Sequence, residues 1–464
     1  MTLRPSKPHC RGARLGDGGG FVLIIVLWVA LGLVTITLYF ANSMGFELRA
    51  SDNRVAGLSA DEAIEGAARY VKNVLLNSAT NGAVPDPTTY LSAAVPVGES
   101  YFWLLSRDTN QQAQVAQPTS PVFGLVDEAS KLNLNTATAA MLEALPGMTP
   151  EFAAAIIDWR DANEDISENG AESTSYALLS PPYQCKNTNF ESVAELRLVS
   201  GATMDLLYGE DANFNGIMDA NENDGSASQP DDNRDGKLDS GILEYVTVYS
   251  RESNKRSDGS PRINVGTPQG RQQLAPLLRE KGFDFQRVTA TTATLSRFAT
   301  TTFQSTLEFF IRSGMRATEF EKIASDITTA NGESIDGLVN VNTASEAVLA
   351  CIPGIGTSNA SVVVAYRQTN PDQLASVAWV RDALGEDNAN AAIQAGRYLT
   401  TRSYQFTADI AAVGPYGRGY RRARFVFDTM EASPKILCRQ DLSHLGWALG
   451  RDVRQQLLLA RTTP

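Results

Sequence analysis

Twenty consecutive residues without a charge, Phe21–Phe40 (FVLIIVLWVALGLVTITLYF), constrain this chain more than any other feature. At about 1.5 Å rise per helical residue, such a run spans the roughly 30 Å hydrocarbon core of a bilayer and so predicts a transmembrane helix. Arg4, Lys7, Arg11 and Arg14 precede it against a single acid, Asp17. That basic flank predicts a cytoplasmic N-terminus, with the rest of the chain on the far side of the membrane. A secretory signal peptide is one alternative, but it has a shorter apolar region and a small-x-small cleavage site. A buried core helix is the other, and bases massed on one flank argue against it.

Charge bounds the function of the ectodomain. Residues 1–20 hold four of the 40 Lys and Arg and one of the 52 Asp and Glu, leaving 36 bases against 51 acids, a balance of −15. An acidic ectodomain argues against a general nucleic-acid binder and suits a divalent cation. The 464 residues leave room for about two to four domains after the apolar segment. The cysteines Cys10, Cys185, Cys351 and Cys438 form no C-x-x-C pair, and the three beyond the leader allow at most one intramolecular disulfide. The histidines are His9 and His444, and neither a glycine-rich phosphate loop, a nucleophile elbow nor a zinc spacing is present, so no enzyme is expected.

Beyond the apolar run, Val55, Leu58, Ile64, Ala67, Val71, Val74 and Leu75 recur at helical intervals among charged residues, which predicts that the helix continues into water with one face covered. Tyr101–Ser106 (YFWLLS) reads as a strand, and Val122–Glu128 (VFGLVDE) as a second. Ser403–Gly414 and Tyr420–Met430 return to alternating, β-branched character, joined by the turn residues Pro415–Gly419.

Between these strands the chain repeats itself. Lys131–Gly147 (KLNLNTATAAMLEALPG) aligns with Leu338–Gly354 (LVNVNTASEAVLACIPG) at a spacing of 207 positions, which also superposes Arg160 on Arg367. Arg262–Leu278 (RINVGTPQGRQQLAPLL) is a third, decayed copy. Each copy predicts a short extended piece, a threonine N-cap and an apolar helix. In the two full copies the helix stops at Pro146–Gly147 or Pro353–Gly354, the turn of a helix-hairpin-helix. Such turns either pack helices or present backbone N–H groups to DNA phosphates. Glu151 follows the first turn before any base, and Arg367 is the first base after the second, so packing is the expected role.

The sequence around the first hairpin, DEASKLNLNTA, IIDWRD (Ile156–Asp161), GAES (Gly170–Ser173), Tyr176 and KNTNFESVAELRLVSG (Lys186–Gly201), resembles general secretion pathway protein K, the large minor pseudopilin family of type II secretion systems. The leader is similar to that family's too, with glycine followed by phenylalanine at Gly20 and Phe21 and Ile25 at the fifth mature position, where most pilins carry glutamate. The resemblance implies cleavage and N-methylation by a prepilin peptidase between Gly20 and Phe21. It also implies a single-pass inner-membrane protein with a cytoplasmic N-terminus and a periplasmic main domain. Its implied partners are other minor pseudopilins and the inner-membrane secretion machinery, and its implied role is capping or initiating the pseudopilus tip for export across the outer membrane. The alternative is a membrane-anchored, competence-type DNA receptor using its hairpins; the acidic charge does not favour nucleic acid as a partner.

The expected fold is α+β with an N-terminal transmembrane and pilin helix, and the resemblance implies a small antiparallel pilin-like sheet interrupted by a large inserted helical domain of helix-hairpin-helix units like sterile-alpha-motif (SAM) folds. The expected segments are a leader at 1–20, the membrane helix at 21–46, and pilin-like helix and strands at 47–126. A first helical unit at 127–202, an expanded region at 203–335, a second unit at 336–398 and C-terminal strands with a tail at 399–464 complete the division.

Inside the expansion, Asp211–Glu222 (DANFNGIMDANE) has calcium-loop spacing, with Asp211, Asn213 and Asn215 at positions 1, 3 and 5, Ile217 at 7 through its carbonyl, Asp219 at 9 and Glu222 at 12. A second loop places Asp231, Asn233, Asp235, Lys237 through its carbonyl, and Asp239 in order, but Ile242 holds position 12 unless Glu244 reaches back. Structural calcium is the expected cofactor of both; an Asx-rich solvated loop is the alternative. Asp161, Asn163, Asp165 and Glu172 form a weaker set without the turn glycine, and the family resemblance, which implies calcium in the helical domain, adds to it.

Overall fold

The computed structural model describes residues 19–107 and 120–462, so the leader up to residue 18 lies outside the described residues. They divide into two compact units, one ending at Ala56 and one beginning at Gly57. Helix α1 (Gly19–Ser78) is sixty residues long. In the first unit its side chains from Phe21 to Phe40 are exposed, an apolar surface that water does not tolerate but lipid does.

In the second unit, β1 (Val95–Val97), β2 (Ser100–Ser106), β3 (Val122–Phe123) and β4 (Val126–Asp127) precede the helical material. The run expected as one strand at Val122–Glu128 is therefore two: β3 pairs with β2 and β4 with a strand from the far end of the chain, and between them the Gly124 N–H donates to the Leu104 carbonyl at 2.8 Å.

The inserted domain then runs through β5 (Leu132–Asn133), α2 (Ala139–Glu143), α3 (Pro150–Arg160), α4 (Ser173–Tyr176), α5 (Met204–Tyr208), β6 (Val246–Thr247) and β7 (Arg251–Ser253). It continues as β8 (Ile263–Asn264), α6 (Pro268–Arg271), α7 (Leu274–Glu280), α8 (Phe285–Ser296), α9 (Thr306–Ser313), α10 (Ala317–Glu321), β9 (Ile327–Thr328) and β10 (Ser334–Asp336). The last part is β11 (Val339–Asn340), α11 (Glu346–Ala350), α12 (Gly356–Thr369), α13 (Trp379–Leu384), α14 (Ala389–Ala395) and β12 (Leu399–Thr400). Three parallel two-stranded pairings, β5 with β6, β8 with β9 and β11 with β12, close three successive units, and β7 pairs with β10 between them. Strand pairing closes the first unit at Val246–Thr247, not at residue 202, so both calcium-type loops belong to it.

One asparagine per unit explains the repeated sequence. The side-chain oxygens of Asn133, Asn264 and Asn340 each accept the N–H two residues on, from Asn135, Gly266 and Asn342. Their amides reach just beyond the partner strand, to Ser250, Ala330 and Ser403 respectively. The helix caps differ from expectation only in detail: Thr138 and Thr267 cap the first and third copies, while in the second Ser345 caps α11 and Thr343 donates to Asp127 at 2.6 Å.

The chain returns to the sheet through β13 (Gln405–Gly414), β14 (Arg418–Asp428) and β15 (Lys435–Asp441), and ends in α15 (Gly450–Thr462). The main sheet is antiparallel, ordered β1-β2-β13-β14-β15. Strand β13, with every residue buried, pairs with β2 although the whole insertion separates them in sequence. One face packs against Ala60, Ala63, Ile64, Ala67, Val71 and Leu75 of α1 through Phe102, Phe406, Phe425 and Phe427. Small alanines let the helix approach closely, and each fully buried phenylalanine contributes about 1.5–3 kcal/mol. The opposite face carries Thr407, Asp409, Arg422 and Arg424 towards the insertion. Cys185, Cys351 and Cys438 are all free thiols.

Candidate metal centres

The first calcium-type loop comes after α5 and turns back on itself. Asp211 accepts the Asn215 N–H at 3.0 Å and the Gly216 N–H at 2.9 Å, the latter from a glycine at φ +73°, where a side chain would be strained. Asn213 and Asn215 both donate to Asp219, at 2.9 and 3.0 Å, and Glu222 accepts the Asp219 N–H at 2.9 Å. Asp211, Asn213, Asn215, Ile217 and Glu222 are buried. Two oxygens in this ring, Asn213 Oδ1 and Glu222 Oε1, are buried without a partner among the described residues. Burial, with Asp211 and Asp219 nearby, pushes the Glu222 carboxyl up to about 8. Orphaned oxygens and crowded acids are costly alone and are relieved by a hard cation, so this donor set fits calcium. Asp211, Asn213, Asn215, Asp219 and Glu222 would hold it, with the Ile217 carbonyl. Its chemistry there is charge neutralisation and crosslinking of the loop.

Arg422 fastens that loop to the sheet. Its fully buried guanidinium pairs with Asp409 at 2.7 and 2.8 Å and donates to the carbonyls of Asn213 and, at 3.0 Å, Phe214. The two arginines facing Asp409, Arg422 and Arg424, outweigh its burial and hold its carboxyl down at about 2. Arg107, at the end of β2, pairs with Asp211 at 2.9 Å and with Glu244 at 3.1 Å. Glu244 thus turns to Arg107 instead of reaching back into the second loop.

In that second loop Asp231, Asn233, Asp235, Lys237 and Asp239 are exposed. A residue outside the expected pattern supplies its buried acid: Glu210 accepts the N–H groups of Asn233 at 3.0 Å and Asp239 at 3.1 Å. No oxygen of this loop is buried and unpartnered among the described residues, so the observation that favours a cation in the first loop has no counterpart here.

The weaker set changes membership. Asp161 and Glu172 come together with Asp158, one turn earlier on α3, with ligand atoms within 4.8 Å of one another. Both oxygens of Glu172, 1% exposed, and Oδ1 of Asp158, fully buried, are without partners among the described residues. Asn163 and Asp165 lie in successive turns instead, the Asn163 N–H donating to Asp161 and the Asp165 N–H to Asn163. A Cβ on Gly170 would fall 2.0 Å from Asp158 Oδ2, which is why glycine stands there. Asp158 escapes the sequence pattern because IIDWRD reads as a plain helix; its i, i+3 spacing to Asp161 is the signal that could reveal it.

The hairpin turns pack protein. A Cβ on Gly354 would lie 2.3 Å from the Ala391 carbonyl of α14, so the Pro353–Gly354 turn abuts backbone. The arginines near the hairpins are spent internally: Arg367, 3% exposed, donates to the carbonyls of Val341 at 3.0 Å and Ala344 at 2.6 Å, and Arg160 to those of Leu134 and Ala137. The Pro146–Gly147 turn is open, but Glu151 follows it at the start of α3. Phe21 stands exposed near the start of α1.

Residues 116–208 match the family model of type II secretion system (T2SS) protein K, and residues 336–389 that of the helix-hairpin-helix motif. A stretch of 56 residues is 43% identical to type II secretion system protein K of Pectobacterium carotovorum subsp. carotovorum, covering 12% of this chain and only 17% of that relative's length. A chain in the crystal structure of the GspK-GspI-GspJ complex from the enterotoxigenic Escherichia coli type 2 secretion system aligns over 85% of this chain and 99% of its own, at TM-score 0.42 and 12% identity. Over residues 116–208 the chain is similar to the type II secretion system protein K family, and it spans about a sixth of the length of the curated relative it matches.

Proposed function

We propose that this chain is a minor pseudopilin that caps or initiates the tip of a secretion pseudopilus and takes part in protein export across the outer membrane. One observation carries the reading: an apolar helix leads into a helix-on-sheet head whose sheet is interrupted by a helical insertion, with the protein K family match running from the strands before that insertion into its first unit. The leader is cut between Gly20 and Phe21, and the new amino terminus is methylated by a prepilin peptidase. The chain crosses the inner membrane once, with its main domain periplasmic, and assembles with other minor pseudopilins and the inner-membrane machinery. Its role is structural; calcium at the first loop stiffens the seam between sheet and insertion, and calcium at Asp158, Asp161 and Glu172 stiffens the first helical unit itself.

Two features favour the tip. A buried glutamate at mature position 5 is tolerated in lipid when it pairs with a neighbouring subunit's amino terminus, and Ile25 has no such need. The insertion, with its three units, would also obstruct continuous packing in a shaft. The test is to label the ectodomain in cells and image assembled pseudopili, with co-purification of the small minor pseudopilins in parallel. Label at filament ends with co-purified partners is expected; label spread evenly along the shaft sinks the tip assignment.

A further inference from the structure

A cavity of about 280 Å³ lies between the insertion-facing side of the sheet and the first helical unit, bordered at Phe214 by the first calcium-type loop. Its lining is cationic in an acidic protein: Lys131, Arg197, Arg424 and Arg439 against one carboxylate, Glu128. Glu128 is already engaged, by Lys131 at 3.3 Å and by the hydroxyls of Thr247 and Thr407. Arg439 is paired with Glu65 at 3.1 Å. Two guanidinium groups retain capacity. Arg197 has no carboxylate partner among the described residues and lies 5.4 Å from the centre of the Tyr208 ring. Arg424 gives one nitrogen to Asp409 at 2.9 Å, while its Nε is buried without a partner. The rings of Tyr208 and Phe214, 5.0 Å apart, and Val426 make the wall apolar beside these cations.

An apolar wall next to a buried donor with nothing to donate to is the chemistry of a site for an amphipathic anion, because an unmet buried N–H is costly and a carboxylate answers it with a charge-assisted bond. We infer that this cavity takes a carboxylate borne on an apolar or aromatic body, its charge met by Arg424 and Arg197 and its body lying against Tyr208, Phe214 and Val426. The volume admits one such group, either a free small acid or the C-terminal residue of a partner chain.

Cys438 makes the test direct, since it lines the cavity and is half-buried, whereas Cys185 and Cys351 are buried. The rate of Cys438 alkylation by iodoacetamide in the full chain in detergent, read by peptide mass spectrometry, reports occupancy. Millimolar 3-phenylpropionate should slow alkylation several-fold, and 3-phenylpropan-1-ol and inorganic phosphate should not. Protection should be lost in Arg197→Gln, an exposed position whose change leaves the fold intact, and in Arg424→Gln. The peptide Ala-Ala-Phe with a free C-terminus, compared with its amide, distinguishes a chain end from a free acid. Protection by both free acids means that the mouth admits a partner's terminus, and protection by 3-phenylpropionate alone means a small-molecule site. No protection by either acid, equal protection by the alcohol, or protection unchanged in Arg197→Gln overturns the assignment.

Discussion

Arg160 and Arg367 make the same pair of bonds, each reaching back to the carbonyls 26 and 23 residues earlier in its own helical unit. Each closes the strand and the first helix of its unit onto the far end of the hairpin. The arginine that a phosphate-binding hairpin would present to DNA is therefore consumed in holding the hairpin together.

That assignment separates stability from nucleic-acid binding. Removing Arg367 leaves two carbonyls inside a packed unit without their charged donor, a loss on the order of 3 kcal/mol. Arg367→Ala should lower the urea midpoint of the full chain in detergent accordingly, and neither wild type nor variant should shift duplex DNA at near-physiological salt. A wild-type shift at micromolar protein that disappears in the variant would return the hairpins to DNA recognition.

Calcium should stabilise the protein through the first loop. With affinities typical of extracytoplasmic sites, about 10⁻⁴ to 10⁻³ M, a few millimolar calcium contributes about 0.6 to 2 kcal/mol by mass action. Asp211→Ala should remove most of the rise in melting temperature between chelator and calcium. Identical melting in chelator and calcium for wild type and variant alike counts against the site.

At the second cluster the sign of a mutation should depend on the cation. Without one, Asp158, Asp161 and Glu172 crowd like charges around buried, unpartnered oxygens. Glu172→Gln relieves that repulsion and should raise stability by about 1 kcal/mol in chelator. In millimolar calcium the same change removes a ligand and should lower it. A shift of the same sign in both conditions shows that the cluster holds no cation.

Much of this architecture is legible in the chain, for identifiable reasons. The strands at 101–106 and 405–428 show because their alternation or aromatic content is local. The three asparagines, 133, 264 and 340, are visible as a repeat, but their partners lie beyond strands that pair across long separations, and spacing says nothing of those. Glu210 is hidden because it enters the second loop from outside the twelve-residue pattern. Strand β15 has an exposed face and carries Ile436 and Leu437 at the sheet's edge, so its apolar pattern is weak.

The last prediction concerns Asp127, which joins the sheet to the last helical unit. Its Oδ2 accepts from Asn340 at 3.1 Å, Thr343 at 2.6 Å and Ser403 at 2.5 Å, and its Oδ1 accepts the Ala129 N–H at 2.8 Å. Burial raises its carboxyl to about 6, although the Ser403 and Thr343 hydroxyls and the Ala129 N–H pull it down. A carboxyl whose folded value lies above its unfolded one binds its proton more tightly when folded. Its contribution is therefore fully present below about pH 3.8 and is lost as pH rises through 6, a change of about 3 kcal/mol. Asp127→Asn has no proton to lose, so the variant isolates this group from every other titration in the chain. Wild type should be more favoured over Asp127→Asn at pH 4 than at pH 7, and that advantage should shrink by about 2 kcal/mol between the two. Urea unfolding of both proteins at matched pH gives the difference directly, and a difference that stays flat from pH 4 to 7 means that the Asp127 carboxyl is not held up by its surroundings.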